Sequence, residues 1–486
     1  MNIAPILPEI TLFSGSIFIL MLDVFLSKKI KNTFYISHLL SIILCALTIL
    51  VLVKTFYFIS DSKYFNNSFS VNPSTLFLKS ISILLLTLVL MLSLSFVSKQ
   101  KYSGELLALM IIATVGGMII LSANDFIVFY LGLELQALSL YLLSAFNVNC
   151  RKSSEAGIKY FILGSLASGI LLFGISIIYG SSGTTNFSTI NEFINSFEKN
   201  QIPILLIFGV LIFITAMFFK ISAAPFHMWT PDVYQGSPSS VTTFFATVVK
   251  FTIVIALVKI CSLFVWEIVG KVILYISIIS IAVGSFGAIY QKNLKRLLAY
   301  SSISHVGFIL LGLSGVSKDV MFSCILYMII YSIISIGTFG FVSLIKNKDG
   351  SEDEKMFDIS SLSGLSKTNP IMAFSLTILM FSTAGIPPLA GFFSKFYILI
   401  SAISHGLSST NHEIFYAAII AIIFSVISAF YYIRIVKIIY FDEPKDLIEL
   451  EDYGNCKLII LTMAIINLVF IIFINSIINL INSFII

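Results

Sequence analysis

Long apolar runs separated by short polar interruptions set the pattern of this chain. A helix needs about 20 apolar residues to cross a hydrocarbon layer. Runs of that length fall at 5–26, 34–58, 72–97, 104–122, 126–147, 155–180, 203–224, 237–262, 266–290, 296–315, 319–344, 370–400, 412–440 and 456–484. The pattern therefore predicts about 14 transmembrane helices. Barrel strands would instead read as alternating segments of about ten residues. Lipid gives the backbone no hydrogen-bond partner, so a spanning segment must satisfy its own amides as helix or closed barrel. The fold class is an all-α polytopic membrane protein.

Composition agrees with the pattern and removes other classes. Of 486 residues, 58% are hydrophobic and 11% charged, against roughly 25% charged in a soluble domain. The net charge is +5. In a membrane chain such an excess bears on orientation, and nucleic acid is not an expected partner. The five cysteines are scattered, without a CxxC pair or metal spacing, so no iron–sulfur cluster, haem or disulfide is indicated. No basic region precedes the first apolar run, and Asp23 lies late within it. That run reads as a retained first helix, not a cleaved signal.

The distribution of charge tests the segment count. Basic residues gather after odd-numbered segments, as in Lys28, Lys29 and Lys31, Lys99 and Lys101, Lys292, Lys295 and Arg296, and Arg434 and Lys437. After even-numbered segments there are few: Lys63, Lys199, Lys271 and Lys318. The positive-inside rule then predicts both termini on the outer side. The longest polar interruption, 346–370, reads as a solvated connector, with a docking surface for a soluble partner as the alternative.

Two segments look broken in matching ways. The seventh carries Lys220 and then Ala223-Ala224-Pro225; the twelfth carries Gly385-Ile386-Pro387-Pro388, then Gly391 and Lys395. Proline removes a donor and clashes with the preceding turn, and paired interrupted helices point to a site between structural repeats. Segments 4–8 and 9–13 are the expected repeats. With five helices each, the second would be inverted in the membrane. The expected organisation is 1–102 for segments 1–3, 103–262 for the first repeat, 263–440 for the second and 441–486 for segment 14.

The charges inside these runs need a reason, because one at the bilayer centre costs about 2.5 kcal/mol or more. Glu134 lies mid-segment in FIVFYLGLELQALSLYLL. A carboxylate alone in hydrocarbon would take up a proton, but beside an ammonium it stays ionised, and Lys220 is the expected partner. Lys250 sits at midspan with Thr243 and Thr247 on about the same helical face. Burial readily makes lysine a proton carrier, unlike arginine. Lys395 lies just beyond the second break, and His305 is a candidate relay because the reference pKa of histidine is near neutral. Each has a duller reading: a static ion pair for Glu134–Lys220, snorkelling for Lys250 and Lys395, packing for His305. Glu155 and Lys159 form an i,i+4 pair, read as surface pairing or as a proton inlet. His227 reads as stabilising the unwound stretch or lining an entrance, and His38, His405 and His412 as loop or interface residues. Glu105 and Asp125 start helices, where carboxylates suit the positive dipole end. Together Glu134, Lys220, Lys250, His305 and Lys395 predict a buried polar axis. No nucleotide loop, metal site or nucleophilic triad is present.

FFKISAAPF (218–226) followed by HMWTPDVYQGSPSSVT (227–242) strongly resembles the signature of the antiporter-like subunits of complex I, the proton-translocating NADH–quinone oxidoreductase of bacteria. These subunits share ancestry with large subunits of multisubunit cation/proton antiporters. Residues 123–143, 291–308 and 381–399 are similar to the same family. The resemblance implies 14 helices with two inverted five-helix repeats and a multi-pass place in the inner (plasma) membrane. It implies roles in proton translocation for Glu134, Lys220, Lys250 and Lys395, with Lys159 and His305 as accessory positions. It places NADH, FMN, iron–sulfur clusters and quinone in other subunits, with no cofactor in this chain. Other antiporter-like and small membrane subunits, and the lipid bilayer, are the implied partners. Within the family, the chain stops after its fourteenth segment, whereas one member adds a long lateral helix. It also carries Lys395 where another member has glutamate. Two alternatives stay open: a subunit of a cation/proton antiporter, and a structural scaffold whose charges only hold helices together.

Overall fold

The computed structural model describes residues 3–26, 33–58, 62–97, 103–197, 202–264, 267–315, 317–347, 354–408, 412–444, 448–451 and 453–485. Lys28, Lys29, Lys31, Lys99, Lys101 and Lys199 of the orientation argument lie outside the described residues.

The chain runs through α1 (Leu7–Leu26), α2 (Thr33–Phe58), β1 (Ser62–Tyr64), β2 (Phe69–Val71), α3 (Pro73–Val97), α4 (Ser103–Ser122), α5 (Phe126–Ser144), α6 (Arg151–Ser182), α7 (Phe187–Asn195), α8 (Ile204–Ile221), α9 (Trp229–Gly236) and α10 (Ser239–Phe244). A π-helical turn, Phe245–Val249, joins α10 to α11 (Lys250–Phe264). Then come α12 (Glu267–Ile289), α13 (Leu294–Leu313), α14 (Lys318–Ser343), β3 (Ile345–Asn347), α15 (Leu365–Thr368), α16 (Pro370–Ala384), α17 (Ala390–Ser408), α18 (Glu413–Phe441), β4 (Ile448–Leu450) and α19 (Gly454–Ile485). Among the described residues, 13 continuous apolar helices are long enough to cross a membrane. The remaining expected segment, the twelfth, is divided into α16 and α17. The protein is an all-α multi-pass membrane protein.

Polar residues at the ends of the apolar runs set the boundaries. Asp125 accepts from the Ile127 amide at 2.8 Å to open α5, and Asn293 accepts from the Arg296 amide at 3.2 Å to open α13. Each oxygen satisfies one of the four amides a helix start leaves free. Gly183, at φ 70°, ends α6 with a left-handed turn. The two breaks are cut alike. Behind Ile221, Ser222 takes φ 67°, and Pro225 follows three residues on. Behind Ala384, Gly385 takes φ 88°, and Pro388 follows at the same distance.

Two compact units emerge. The first is Met1–Ile221 with Val248–Phe264; the second is Ser222–Thr247 with Val265–Ile486. In the first, the Phe126 ring meets those of Phe187, Phe213 and Phe264 at centroid distances of 4.7, 5.1 and 5.8 Å. In the second, α12 and α13 pack through glycine: a Cβ on Gly284 would lie 2.4 Å from the Ser304 nitrogen. Lipid gives no hydrophobic drive between helices, so close backbone approach through small residues is what binds them.

The structure revises two readings. The connector after α14 is not simply solvated. β3 pairs with β4 in register Ile345↔Leu450, the Ile359 amide donates to the Lys292 carbonyl at 2.8 Å, and Ile359, Leu362 and Leu365 are buried. Its residues 348–353 lie outside the described residues. His38 is no interface residue either. It is buried, its Nε2 2.7 Å from the Leu90 carbonyl of α3.

Gly284→Ala should cost about 1–3 kcal/mol, as overpacking does, and lower the melting temperature of the detergent-purified protein. Gly180→Ala, with nothing within 4 Å of the added carbon, should hold or slightly raise it, since alanine is the better helix former.

Candidate functional site

In the first unit, α5 and α8 bring Glu134 and Lys220 together. The ammonium lies 3.9 Å from Glu134 Oε1, with the side chains 23% and 7% exposed respectively. That is ion-pair distance but too long for a hydrogen bond. The short bond goes elsewhere: Lys220 Nζ donates to Ser168 Oγ of α6 at 2.9 Å. Glu134 Oε1 is buried with no hydrogen-bond partner among the described residues. Lys220 also occupies the last turn of α8, where free carbonyls concentrate negative charge. A carboxylate, a neutral hydroxyl and a helix terminus thus share one ammonium.

Two residues beyond Glu134, Gln136 Nε2 donates to Thr252 Oγ1 at 3.1 Å and to the Ala113 carbonyl at 3.3 Å. Thr252 is two residues from Lys250, which is buried at the first position of α11, directly after the π-helical turn. Lys250 is therefore no snorkelling residue. The wide turn adds a residue to the helical path between Lys250 and the preceding Thr243 and Thr247. Those hydroxyls donate to the Ser239 and Thr243 carbonyls of their own helix. Lys159 pairs with Glu155 at 2.6 Å, with side chains 41% and 53% exposed, a surface pair separate from Glu134–Lys220.

In the second unit, Lys395 of α17 reaches back over the break. Its Nζ donates to the Ala384 carbonyl, the last of α16, at 3.0 Å and to Ser425 Oγ of α18 at 3.2 Å. It also stands over the Phe308 ring, 5.4 Å from the centroid. It thus serves the carbonyl end of an interrupted helix and is buried. His305 lies one turn from Phe308 on α13. Its Nδ1 is 2.6 Å from Tyr327 Oη, its Nε2 3.4 Å from Tyr432 Oη, and Tyr432 Oη is in turn 2.5 Å from Ser301 Oγ. His305 and Lys395 share no direct hydrogen bond among the described contacts.

The TPDVYQG stretch forms α9, and its charges anchor it. Arg296 Nη1 donates to Asp232 Oδ1 at 2.6 Å and to Gln235 Oε1 at 3.2 Å, while Lys295 Nζ donates to the Ser237 carbonyl at 3.0 Å. His227 is buried 6.3 Å from the Tyr300 ring, inside the unwound stretch and not on a surface. Nothing in the order of residues marks Tyr327 and Tyr432, which look like packing residues in apolar runs. Two further features lie outside the expected axis: Lys259, whose Nζ donates to the Ala123 carbonyl at 2.7 Å, and a buried pair in which Lys79 Nζ lies 2.6 Å from Glu9 Oε1.

Similarities to known proteins agree with this architecture. The family described as NADH:quinone oxidoreductase/Mrp antiporter, transmembrane, matches residues 123–420. The NADH-quinone oxidoreductase subunit N of Paramagnetospirillum magneticum is 40% identical over 476 residues, spanning 97% of this chain and 94% of that one. Among solved structures, a chain of respiratory complex I from Thermus thermophilus with bound aureothin superposes with a TM-score of 0.78 at 24% identity, over 97% of this chain and 98% of that one. A chain of the Mrp complex from Dietzia sp. does so with a TM-score of 0.81 at 17% identity, over 100% of this chain and 97% of that one. These two structural likenesses are of fold.

Arg296→Gln should remove the charge-assisted bond to Asp232 at a cost of about 1–3 kcal/mol. Adding Asp232→Asn should return part of it. A double-mutant cycle on melting temperatures reads the coupling directly.

Proposed function

The chain belongs to the NADH:quinone oxidoreductase/Mrp antiporter transmembrane family, and from that premise we propose that it is a proton-translocating membrane subunit of an NADH–quinone oxidoreductase, in the position of subunit N. Electron transfer from NADH to quinone takes place in other subunits, which hold the flavin, the iron–sulfur clusters and the quinone. The chain works in the inner (plasma) membrane among other antiporter-like and small membrane subunits, with both termini on the outer side. Its matched breaks, each with a left-handed residue and a proline three positions on, support two inverted repeats: segments 4–8 within 103–262 and 9–13 within 263–440.

The observation that carries the reading is the sharing of the Lys220 ammonium. At 3.9 Å the attraction of Glu134 is incomplete, and a neutral hydroxyl holds the short bond. A small displacement changes the Coulomb term steeply in a medium of low dielectric. When Glu134 moves away or is neutralised, Lys220 holds its proton less firmly and can pass it to a neutral Lys250. When Glu134 returns, Lys220 takes up another proton from the inner side. In the second unit Lys395 is the exchange site. His305 relays with Tyr327 and Tyr432, whose hydroxyls can accept and donate in the same step. Lys159 with Glu155 is an accessory group at the inlet.

A cation/proton antiporter subunit is the second reading, favoured by the fold shared with the Mrp chain. The two part on the driving reaction: NADH-driven transport indifferent to sodium supports the first, and sodium-dependent exchange without NADH the second.

Glu134→Ala and Lys220→Ala should each lower NADH-driven quinone reduction and proton pumping by about tenfold or more, with the complex still assembled on a native gel. Full pumping in reconstituted vesicles with either variant would refute the assignment. Lys250→Ala should abolish pumping and spare assembly; a scaffold role predicts the reverse.

A further inference from the structure

Outside the residues given roles above, one end of the first unit holds a cluster of three ionisable side chains: Glu9 in the first turn of α1, Lys79 in α3 and Lys259 in α11. Glu9 and Lys79 form a buried pair at 2.6 Å, with side-chain exposures of 3% and 0%. The pair lacks the support that normally makes such burial favourable. Beyond each other, neither the Glu9 oxygens nor Lys79 Nζ have a hydrogen-bond partner among the described residues. What Lys79 has besides Glu9 is the face of Phe69, 4.9 Å from its centroid. An isolated buried ion pair is no better for stability than an apolar pair of the same volume. Lys259 is held beside the same short strand, with Nζ 2.7 Å from the carbonyl of Ala123, which bridges Phe69, and 3.5 Å from Ser70 Oγ.

Chemistry and position both suit proton exchange. Two ammonium groups and one carboxylate sum to +1 in a dry site, and loss of one proton from Lys259 brings the sum to zero. The amine left behind still donates to Ala123, so both protonation states are housed. Lys259 is also the part-buried member of the three, open enough to meet water. Seven residues separate it from Thr252, two helical turns along one face of α11. Thr252 accepts from Gln136, two residues from Glu134, and Gln136 Oε1 is itself buried without a partner among the described residues. A water there would continue the path.

The geometry points to Lys259 as a second proton-exchange site of this chain, with the Glu9–Lys79 pair as the valve that sets when it lets go. The inference rests on the pumping function proposed above, and on the orientation that puts this end of the unit outside. Protonated Lys259 gives its proton to water at the outer mouth and is left as a neutral amine. A proton arriving along the Thr252 face restores it. A proton on Glu9 uncovers the Lys79 charge and drives the release. Other charged groups on the packed elements stand apart. Asp23 accepts from the Gly104 amide, His38 meets the Leu90 carbonyl, and Asp125 accepts from Thr185 and Ile127. Lys54, Lys63, Glu105 and Glu192 are exposed, and Lys220 and Glu134 belong to the inner pair.

The test uses the whole complex in vesicles, with Glu134→Ala as the control for the underlying function. Lys259→Arg keeps charge and donors but not proton release. It should assemble normally and lower pumping about tenfold or more. The double variant Glu9→Gln with Lys79→Met removes both charges at similar volume. It should assemble and alter the dependence of pumping on outer pH, which loss of a mere clamp leaves unchanged. If Glu134→Ala pumps fully, the function proposed above fails. If Glu134→Ala is inactive while Lys259→Arg pumps at the wild-type rate, or the double variant keeps the wild-type pH dependence, this inference fails alone.

Discussion

An ammonium buried in hydrocarbon governs this structure, because it must find negative charge without the help of water. Carboxylates are one source, and the chain spends few of them. The other source is the helix itself, whose last carbonyls have no partner and whose dipole ends negative. A helix that runs unbroken through the bilayer puts that end at the surface. Interrupting it brings the end inside. Lys220 within the last turn of α8, and Lys395 reaching back to the last carbonyl of α16, both use this device. The second break thus brings a free carbonyl within reach of the buried Lys395.

The surroundings of each lysine follow from that need. Short bonds from Lys220 and Lys395 go to serine hydroxyls and to a carbonyl, groups that do not change charge. Neutral acceptors hold the ammonium and, with their lone pairs and hydroxyl protons, tolerate the amine. The carboxylate, where there is one, is kept at a distance. The fixed charges serve elsewhere: Asp232 with Arg296 ties down α9 at 2.6 Å, and Arg434 donates to the Ile289 and Gln291 carbonyls at the end of α12, both at 2.8 Å. Guanidinium contacts of 2.6–2.8 Å anchor the frame, while the contacts of Lys220 and Lys395 run from 2.9 to 3.9 Å.

Much of this was written in the order of residues. Apolar runs gave the helices, since lipid enforces helical backbone wherever a run is long enough. Proline and glycine at 225, 385 and 388 gave the breaks, since their backbone limits act locally. The Glu134–Lys220 pair followed from two charges that had to find each other. What stayed hidden depended on partners far along the chain. Glu9 and Lys79 lie in separate apolar runs, and nothing in the order of residues joins positions 70 apart. Tyr327 and Tyr432 are indistinguishable from packing aromatics until His305 is placed between them. The π-helical turn before Lys250 left no mark either, being a matter of one residue's worth of winding.

The two breaks follow one path but are furnished differently. Gly385 turns left-handed with no side chain to accommodate. Ser222 makes the same turn with a Cβ in an unfavourable place and a hydroxyl buried without a partner among the described residues. Glycine is the better residue for such a turn by roughly 1 kcal/mol, and the stranded hydroxyl adds to the difference. The first break therefore sits above its own conformational minimum. Anyone seeking a hardier version of this protein for purification has an obvious first position to alter, one that lies two residues beyond Lys220 and touches none of its bonds.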